Sequence, residues 1–156
     1  MGIFISQAQL PEVIEKIREE NKSVVVTNGC FDILHVGHVR YLNQTKECAD
    51  CLILLMNSDK SVKALKGEGR PINNENDRAE VLCGLASVDY VVSFDEQSPA
   101  NLIDLIKPDV YTKGGDYTLE NLPERDVVLK NDVKVIFINF VDGKSTTNII
   151  NKINNK

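Results

Sequence analysis

Short apolar runs alternate along this chain with stretches whose apolar residues recur every three or four positions, the signatures of buried strands and of amphipathic helices. Leu10, Val13, Ile14 and Ile17 share one face of a helix over Leu10–Glu20. Ser23–Thr27 reads as a buried strand that runs into the turn signal Asn28-Gly29. A helix follows Gly37 to about Ala49, with Val39, Leu42 and Thr45 on one side. Cys51–Met56 is apolar on both faces, as a central parallel strand is. The polar stretch Asn57–Asn76 reads as a short helix and a loop, and Asp77–Leu85 as a helix with an acidic residue near its start. Asp89–Phe94, Asp109–Thr112 and Val133–Ile138 read as three further strands. Pro99 opens a helix to Ile106, and Ser145-Thr-Thr147 starts a last one with Ile149, Ile150 and Ile153 on one side.

Strands that alternate with helices predict the α/β class: a Rossmann-like open parallel five-stranded sheet with helices on both faces. Right-handed crossovers then bring ligands to the carboxyl ends of the strands. No repeat or linker divides the chain, so residues 1–156 read as a single domain, with a helical extension over 1–22 and a polar tail over 151–156. A chain of this size buries roughly 70% of its unfolded surface, enough for a real core.

Composition narrows the picture. Hydrophobic residues at 42% and charged residues at 26% are those of a globular protein. No apolar run approaches the roughly 20 residues that span a bilayer, and the N-terminus lacks a signal peptide's basic start and apolar core. The four cysteines sit in apolar or helical surroundings, which points to a reducing cytoplasm. Cys48-Ala-Asp-Cys51 has the spacing of half a zinc site, but no second half exists, so ordinary buried thiols are the expectation. The net charge of -5 argues against nucleic acid and anionic membranes as partners. Phosphates would have to be met by locally built positive potential.

Four clusters are able to build it. The chain's only two histidines lie three apart in His35-Val36-Gly37-His38, between the first buried strand and the helix that follows. Gly37 lets backbone approach a ligand closely, and free amides at a helix start favour an anion, so both imidazoles are placed to donate to phosphoryl oxygens. Gly143-Lys-Ser-Thr-Thr147 opens another helix; alone it reads more readily as an N-cap than as a second anion site. Lys63, Lys66, Arg70 and Arg78 lie in or beside a glycine-bearing loop that would close over a polyphosphate, with one or two of them left as solvated surface charge. Lys113-Gly114-Gly115-Asp116 follows a strand. Its glycines offer bare backbone to a base and Asp116 an acceptor for ribose or base, or they serve a loop that needs positive φ. A GxxxxGK[ST] loop is absent, as is a GxGxxG after the first strand, which disfavours P-loop enzymes and the usual dinucleotide fold.

In order along the chain, Thr27–His38, Asn57–Val62, Lys66–Ile72, Asp77–Leu82, Lys113–Tyr117 and Ser145–Thr147 resemble the nucleotidyltransferase superfamily marked by HxGH and a late Ser-Thr helix start. Within it the chain is most similar to bacterial heptose 1-phosphate adenylyltransferases, over about Val24–Ile153, without the kinase half that often accompanies them, so a stand-alone transferase is expected. The resemblance implies transfer of a nucleoside monophosphate, AMP from ATP, to a sugar 1-phosphate with release of pyrophosphate. CTP and GTP stay open as donors. It implies that His35, His38 and Lys66 act on the transition state, with Lys63 beside Lys66. Ser145, Thr146 and Thr147 would hold the β- and γ-phosphates, and Gly114, Gly115 and Asp116 would line the nucleoside site next to Lys113. Asn28, Gly29 and Phe31 would floor the acceptor side, with Gly37 in the turn and Arg78 binding anions or bracing the loop. Mg²⁺ would come with the triphosphate, held mainly by phosphate and water, with Asp32 and Asp116 the only candidate protein ligands. The resemblance also implies a cytoplasmic homodimer.

One departure narrows the choice. Cytidylyltransferases for glycerol 3-phosphate and choline phosphate typically carry Arg-Thr-Glu-Gly-Ile before Ser-Thr-Thr; here the stretch is Phe140-Val-Asp-Gly-Lys144. A relative with another acceptor, glycerol phosphate or a flavin nucleotide, is the nearest rival. A regulatory module that binds nucleotide without turnover is the rival of another class.

Overall fold

A computed structural model describes residues 1–139 and 141–155; Phe140, at the head of the departure noted above, and Lys156, at the end of the tail, lie outside the described residues. Six parallel strands form one sheet in the order β1-β4-β3-β2-β5-β6. They are β1 (Ile3–Ile5), β2 (Val24–Gly29), β3 (Cys51–Asn57), β4 (Tyr90–Phe94), β5 (Val110–Gly114) and β6 (Lys134–Ile138). The helices are α1 (Leu10–Glu19), α2 (Val36–Lys46), α3 (Asp59–Lys66), α4 (Glu75–Cys83), α5 (Ala100–Ile106), α6 (Arg125–Lys130) and α7 (Thr146–Asn154). None of them is long and apolar enough to cross a membrane.

The expected parallel α/β sheet is present, with one strand more than the five anticipated. The extra strand lies in the stretch read as a helical extension: Ile3–Ile5 pairs with β4 at the sheet's edge. Three residues, of which Ile3 and Phe4 are exposed, are too few to show a strand's alternation in the sequence. α6 also went unforeseen. Its six residues bury only Val128, too little for a helical stripe to show.

β3 sits at the centre and every residue of it is buried. Its side chains alternate between two cores, as strand geometry requires. Ile53 and Leu55 join α1, α5 and α6 on one face; Leu52, Leu54 and Met56 join α2 and α4 on the other. On the α2 face, hydroxyls rather than methyls fix the helix. Thr27 Oγ1 lies 2.8 Å from the Tyr41 hydroxyl, which donates to Thr112 Oγ1, itself 3.0 Å from Thr45 Oγ1. These bonds tie α2 to β2 and β5, the two strands between which the chain's crossovers change direction. Val39, expected on the buried face beside Leu42 and Thr45, is 37% exposed. α7 is the least embedded helix: Ile149 and Ile150 are half-buried, Ile153 is exposed, and the helix has no fully buried residue.

All four cysteines are free thiols; Cys51 and Cys83 are buried and Cys30 and Cys48 half-buried, and burial pushes Cys51 up to about 12. Leu54 is completely buried in the central strand. Leu54→Ala should therefore cost about 2–5 kcal/mol of unfolding free energy, measured as a lower urea midpoint with an unchanged slope.

Candidate active site

At its carboxyl end β2 becomes a tight turn. Phe31 takes a left-handed backbone (φ 48) that a bulky residue adopts only under tertiary constraint. The constraint is visible: its ring is buried, packs over Gly29 and stands 5.5 Å from the His38 ring. Asp32 follows with 1% of its side chain exposed. It accepts hydrogen bonds from Arg70 Nε at 2.6 Å and from the amides of Ile72 and Asn73, each at 2.9 Å. Burial works to raise its pKa, but the Asn73 and Ile72 amides and the Arg70 guanidinium prevail and hold the carboxyl below its ordinary range. Asp32 is thus the anchor of the 67–74 loop, and its occupied oxygens remove it as a metal-ligand candidate.

The histidine turn then caps its own helix. His35 is the N-cap of α2, so the helix begins before Gly37 rather than after it. His35 Nδ1 accepts from the Gly37 amide at 3.1 Å, and His38 Nδ1 accepts from the His35 amide at 3.3 Å. With Nδ1 an acceptor in each neutral ring, both protons reside on Nε2. The rings lie 4.0 Å apart between centroids. A Cβ at Gly37 would fall 2.7 Å from His35 Cε1, so only glycine lets the ring fold back onto this amide. Burial lowers both histidines; His38, further depressed by His35, is pushed down to about 4, and Lys144 adds to the effect at His35. At neutral pH the unliganded pair is two neutral Nε2–H donors at a helix N-terminus.

α7 joins this centre from the last loop. Ser145 caps it by accepting from the Asn148 amide at 3.0 Å, and Thr146 Oγ1 donates to the Ile33 carbonyl at 3.0 Å. Of the three hydroxyl residues expected on phosphate, one caps, one braces the histidine turn, and Thr147 is exposed with no side-chain bond among the described residues. The remaining amides of this first turn have the geometry that favours an anion.

The basic residues divide. Of the two roles open to Arg78, anion binding and bracing the loop, its contacts are those of a brace. Its side chain is fully buried and donates to the carbonyls of Asn73, Cys30 and Asn57 and to the Asp59 carboxylate, at 2.7–3.1 Å. An arginine near the start of a helix that follows a polar loop reads as surface charge until the carbonyls around it are known. Lys63 is exposed and ion-paired to Glu68 at 2.8 Å. Lys66, in the last turn of α3, is exposed and makes no ion pair among the described residues; its charge reaches Cys30 in the histidine turn.

At the end of β5, Gly114 is buried inside the ladder opposite Ile138, so it offers no open surface, contrary to the reading of paired glycines facing a base. Gly115 is exposed, and a Cβ there would strike Asn139 Oδ1 at 2.5 Å: its bareness serves the contact with the end of β6. Asp116 is exposed. Lys113 Nζ donates to Asn28 Oδ1 at 3.1 Å, which joins the ends of β5 and β2. Among the described residues no three His, Cys, Asp or Glu side chains converge on a metal position.

Two outcomes follow from this bracing. Arg78→Met should destabilise the fold by about 3–5 kcal/mol, seen as a lowered melting temperature, because three carbonyls and a carboxylate lose their donor. Asp32 has a folded pKa below its unfolded one, so its stabilisation is complete above the unfolded value and is lost as pH falls through the folded value. Asp32→Asn should lower stability at neutral pH and flatten its decline on acidification, read from denaturation midpoints across pH.

Residues 26–152 match the family model described as Cytidylyltransferase-like. The bifunctional protein HldE of Syntrophotalea carbinolica is 50% identical over 144 residues, 92% of this chain and 29% of that protein. HldE of Campylobacter concisus is 55% identical over 144 residues, covering 91% and 30%. The chain thus spans about three tenths of the length of these relatives. Among solved structures, the lipopolysaccharide core biosynthesis protein of Thermoplasma volcanium superposes with a TM-score of 0.65 at 29% identity, over 78% of this chain and 99% of that one. Pantothenate synthetase of Thermus thermophilus shares the fold, with a TM-score of 0.63 at 16% identity over 90% of this chain and 62% of that one. With its motifs in order, its parallel sheet and this match over most of its length, the chain belongs to the cytidylyltransferase-like family of nucleotidyltransferases.

Proposed function

We propose that this protein transfers a nucleoside monophosphate, AMP from ATP, to a sugar 1-phosphate, with heptose 1-phosphate the acceptor that the motif resemblance favours. The observation that carries the reading is the pair of neutral imidazoles, each fixed through Nδ1, presenting Nε2–H donors beside the free amides of two helix starts. This arrangement builds positive potential in a chain of net charge -5 without placing a fixed charge at the reacting atoms.

An acceptor phosphate oxygen attacks the α-phosphorus in line. The new P–O bond forms as the bond to the β-phosphate oxygen breaks, and pyrophosphate leaves with the electron pair. No covalent intermediate on the protein is required, so positioning and charge stabilisation supply the catalysis. His35 and His38 donate to the phosphoryl oxygens on which charge develops. The first-turn amides of α7, with Ser145 and Thr147, receive the departing β- and γ-phosphates. Lys66 closes from the end of α3, with Lys63 released from Glu68. Asn28, Gly29 and Phe31 shape the floor, Lys113 supplies a cation beside it, and Asp116 stands over the nucleoside. Mg²⁺, carried by phosphate oxygens and water, supplies further charge neutralisation. A phosphate beside the imidazoles favours their charged form, so substrate binding raises both pKa values from their depressed resting position.

The test is pyrophosphate release with Mg²⁺, crossing ATP, CTP and GTP against heptose 1-phosphate anomers and glycerol 3-phosphate. Release should be confined to ATP with a sugar 1-phosphate. His38→Ala should lower kcat by about 100-fold or more while ATP still binds. Turnover with glycerol 3-phosphate and CTP would replace this reading with the alcohol-phosphate one. Nucleotide binding without release for any acceptor would make the chain a binding module.

A further inference from the structure

A buried ion pair lies where β2 and β5 part. Lys113 keeps 13% of its side chain exposed and Glu124 keeps 2%. Nζ stands 3.5 Å from Glu124 Oε2, 3.5 Å from the Tyr111 hydroxyl and 5.1 Å from the centre of the Tyr117 ring. Glu124 occupies the N-cap position of α6 without capping it. Among the described residues its Oε1 accepts only a long bond from Ser98 Oγ, at 3.5 Å. Its Oε2 is a buried side-chain oxygen with no hydrogen-bond partner among the described residues.

A buried carboxylate oxygen left unsatisfied costs stability, and packing alone would be served better by an apolar residue. The ammonium it faces is just as loosely held. Among the described residues its one well-formed bond goes to Asn28, at the carboxyl end of β2 just before the histidine turn. Two charges that attract each other without a tight bond leave the lysine free to exchange partners.

The direction of that exchange follows from the sheet. Thr112 faces α2, whereas Tyr111 packs in the core of α1, α5 and α6, so alternation along β5 turns Lys113 to this second face with Tyr111. The histidines and the start of α7 gather at the α2 end, where pyrophosphate leaves in the proposed reaction. In-line displacement brings the attacking group from the opposite side of the α-phosphorus.

We propose that Glu124 is a positioning residue for the transfer reaction: it holds the Lys113 ammonium at the parting of β2 and β5, from which that ammonium engages the acceptor's phosphate. The inference rests on the transferase reading above but not on the identity of the acceptor. Burial lowers the pKa of Lys113. Of the groups that face it, Glu124 does most to oppose the fall, with Asp116 and Cys30 adding to it; Tyr111, Tyr117 and Asn28 complete its surroundings.

The experiment is a cycle of E124Q, K113M and the double variant, with E124D beside it, assayed by pyrophosphate release at varied acceptor and varied ATP. E124Q should raise the acceptor KM about tenfold or more and leave the ATP KM within about twofold. Its activity should also fail at lower pH on the alkaline side, because Lys113 then loses its proton sooner. E124D, which keeps the charge, should keep the wild-type alkaline limb. In the K113M background E124Q should add nothing. A rise confined to the ATP KM, wild-type behaviour of E124Q, equal alkaline limbs for E124Q and E124D, or effects that multiply in the double variant would each overturn the inference. If the wild type uses only glycerol 3-phosphate, the sugar reading fails and the same cycle is read with that acceptor. No release with any acceptor phosphate overturns both.

Discussion

The Arg78 guanidinium holds together the loops on which the site is built. Sunk beneath the carboxyl edge of the sheet, it donates to the ends of three separate segments: Cys30 after β2, Asn57 at the end of β3 and Asn73 before α4. A fourth bond reaches Asp59 at the start of α3. A planar cation with five donors can satisfy several carbonyls at once, which a flexible ammonium cannot do in the same geometry. Asp32 repeats the device with opposite sign by gathering amides of the 67–74 loop. Between them, the cation and the anion set where the histidine turn starts and where the loop carrying the basic residues returns to the fold.

That framework allows the histidines to stay uncharged. A cationic pair 4.0 Å apart would repel itself in the empty site, and burial would add to the cost. Both rings instead rest as neutral donors, positioned by backbone amides, and in the proposed reaction take on charge when the substrate phosphates arrive. Lys113 follows a different plan. It is buried as well, but an acidic neighbour works to keep its proton on, at the expense of an unsatisfied oxygen. On the proposed function, the site combines groups whose charge is induced by ligand with one whose charge is maintained in advance.

Much of this architecture was legible in the sequence. The β2, β3, β4 and β5 segments show as apolar runs because an interior parallel strand is covered on both sides and leaves little choice of residue; β6, half-buried at the sheet's edge, shows by its apolar run Val135–Ile138. The histidine pair was readable because a glycine between two histidines at a strand-to-helix turn has few other uses. What escaped notice depended on partners far away along the chain. Arg78 and Lys63 look alike in sequence, yet one is buried among carbonyls and the other lies in solvent beside Glu68. Gly115 looked like a seat for a base, but its bareness answers to Asn139, just past the end of β6. Glu124, in a polar stretch between two weakly patterned elements, carried no local sign that it would be buried. β1 and α6 were too short for any periodicity to show.

The spacing of the histidine motif has a consequence for how such sites arise and change. His35 is at once the cap of α2 and, in the proposed reaction, a donor to substrate, and the missing side chain at Gly37 is the space its ring occupies. His38 takes its orientation from the amide of His35. The interval between the histidines is therefore a rule of helix initiation before it is a rule of chemistry. A histidine moved by one position would lose its amide partner and its tautomer together. The smallest unit that can be inherited, or grafted onto another scaffold, is the whole strand, turn and first helical turn.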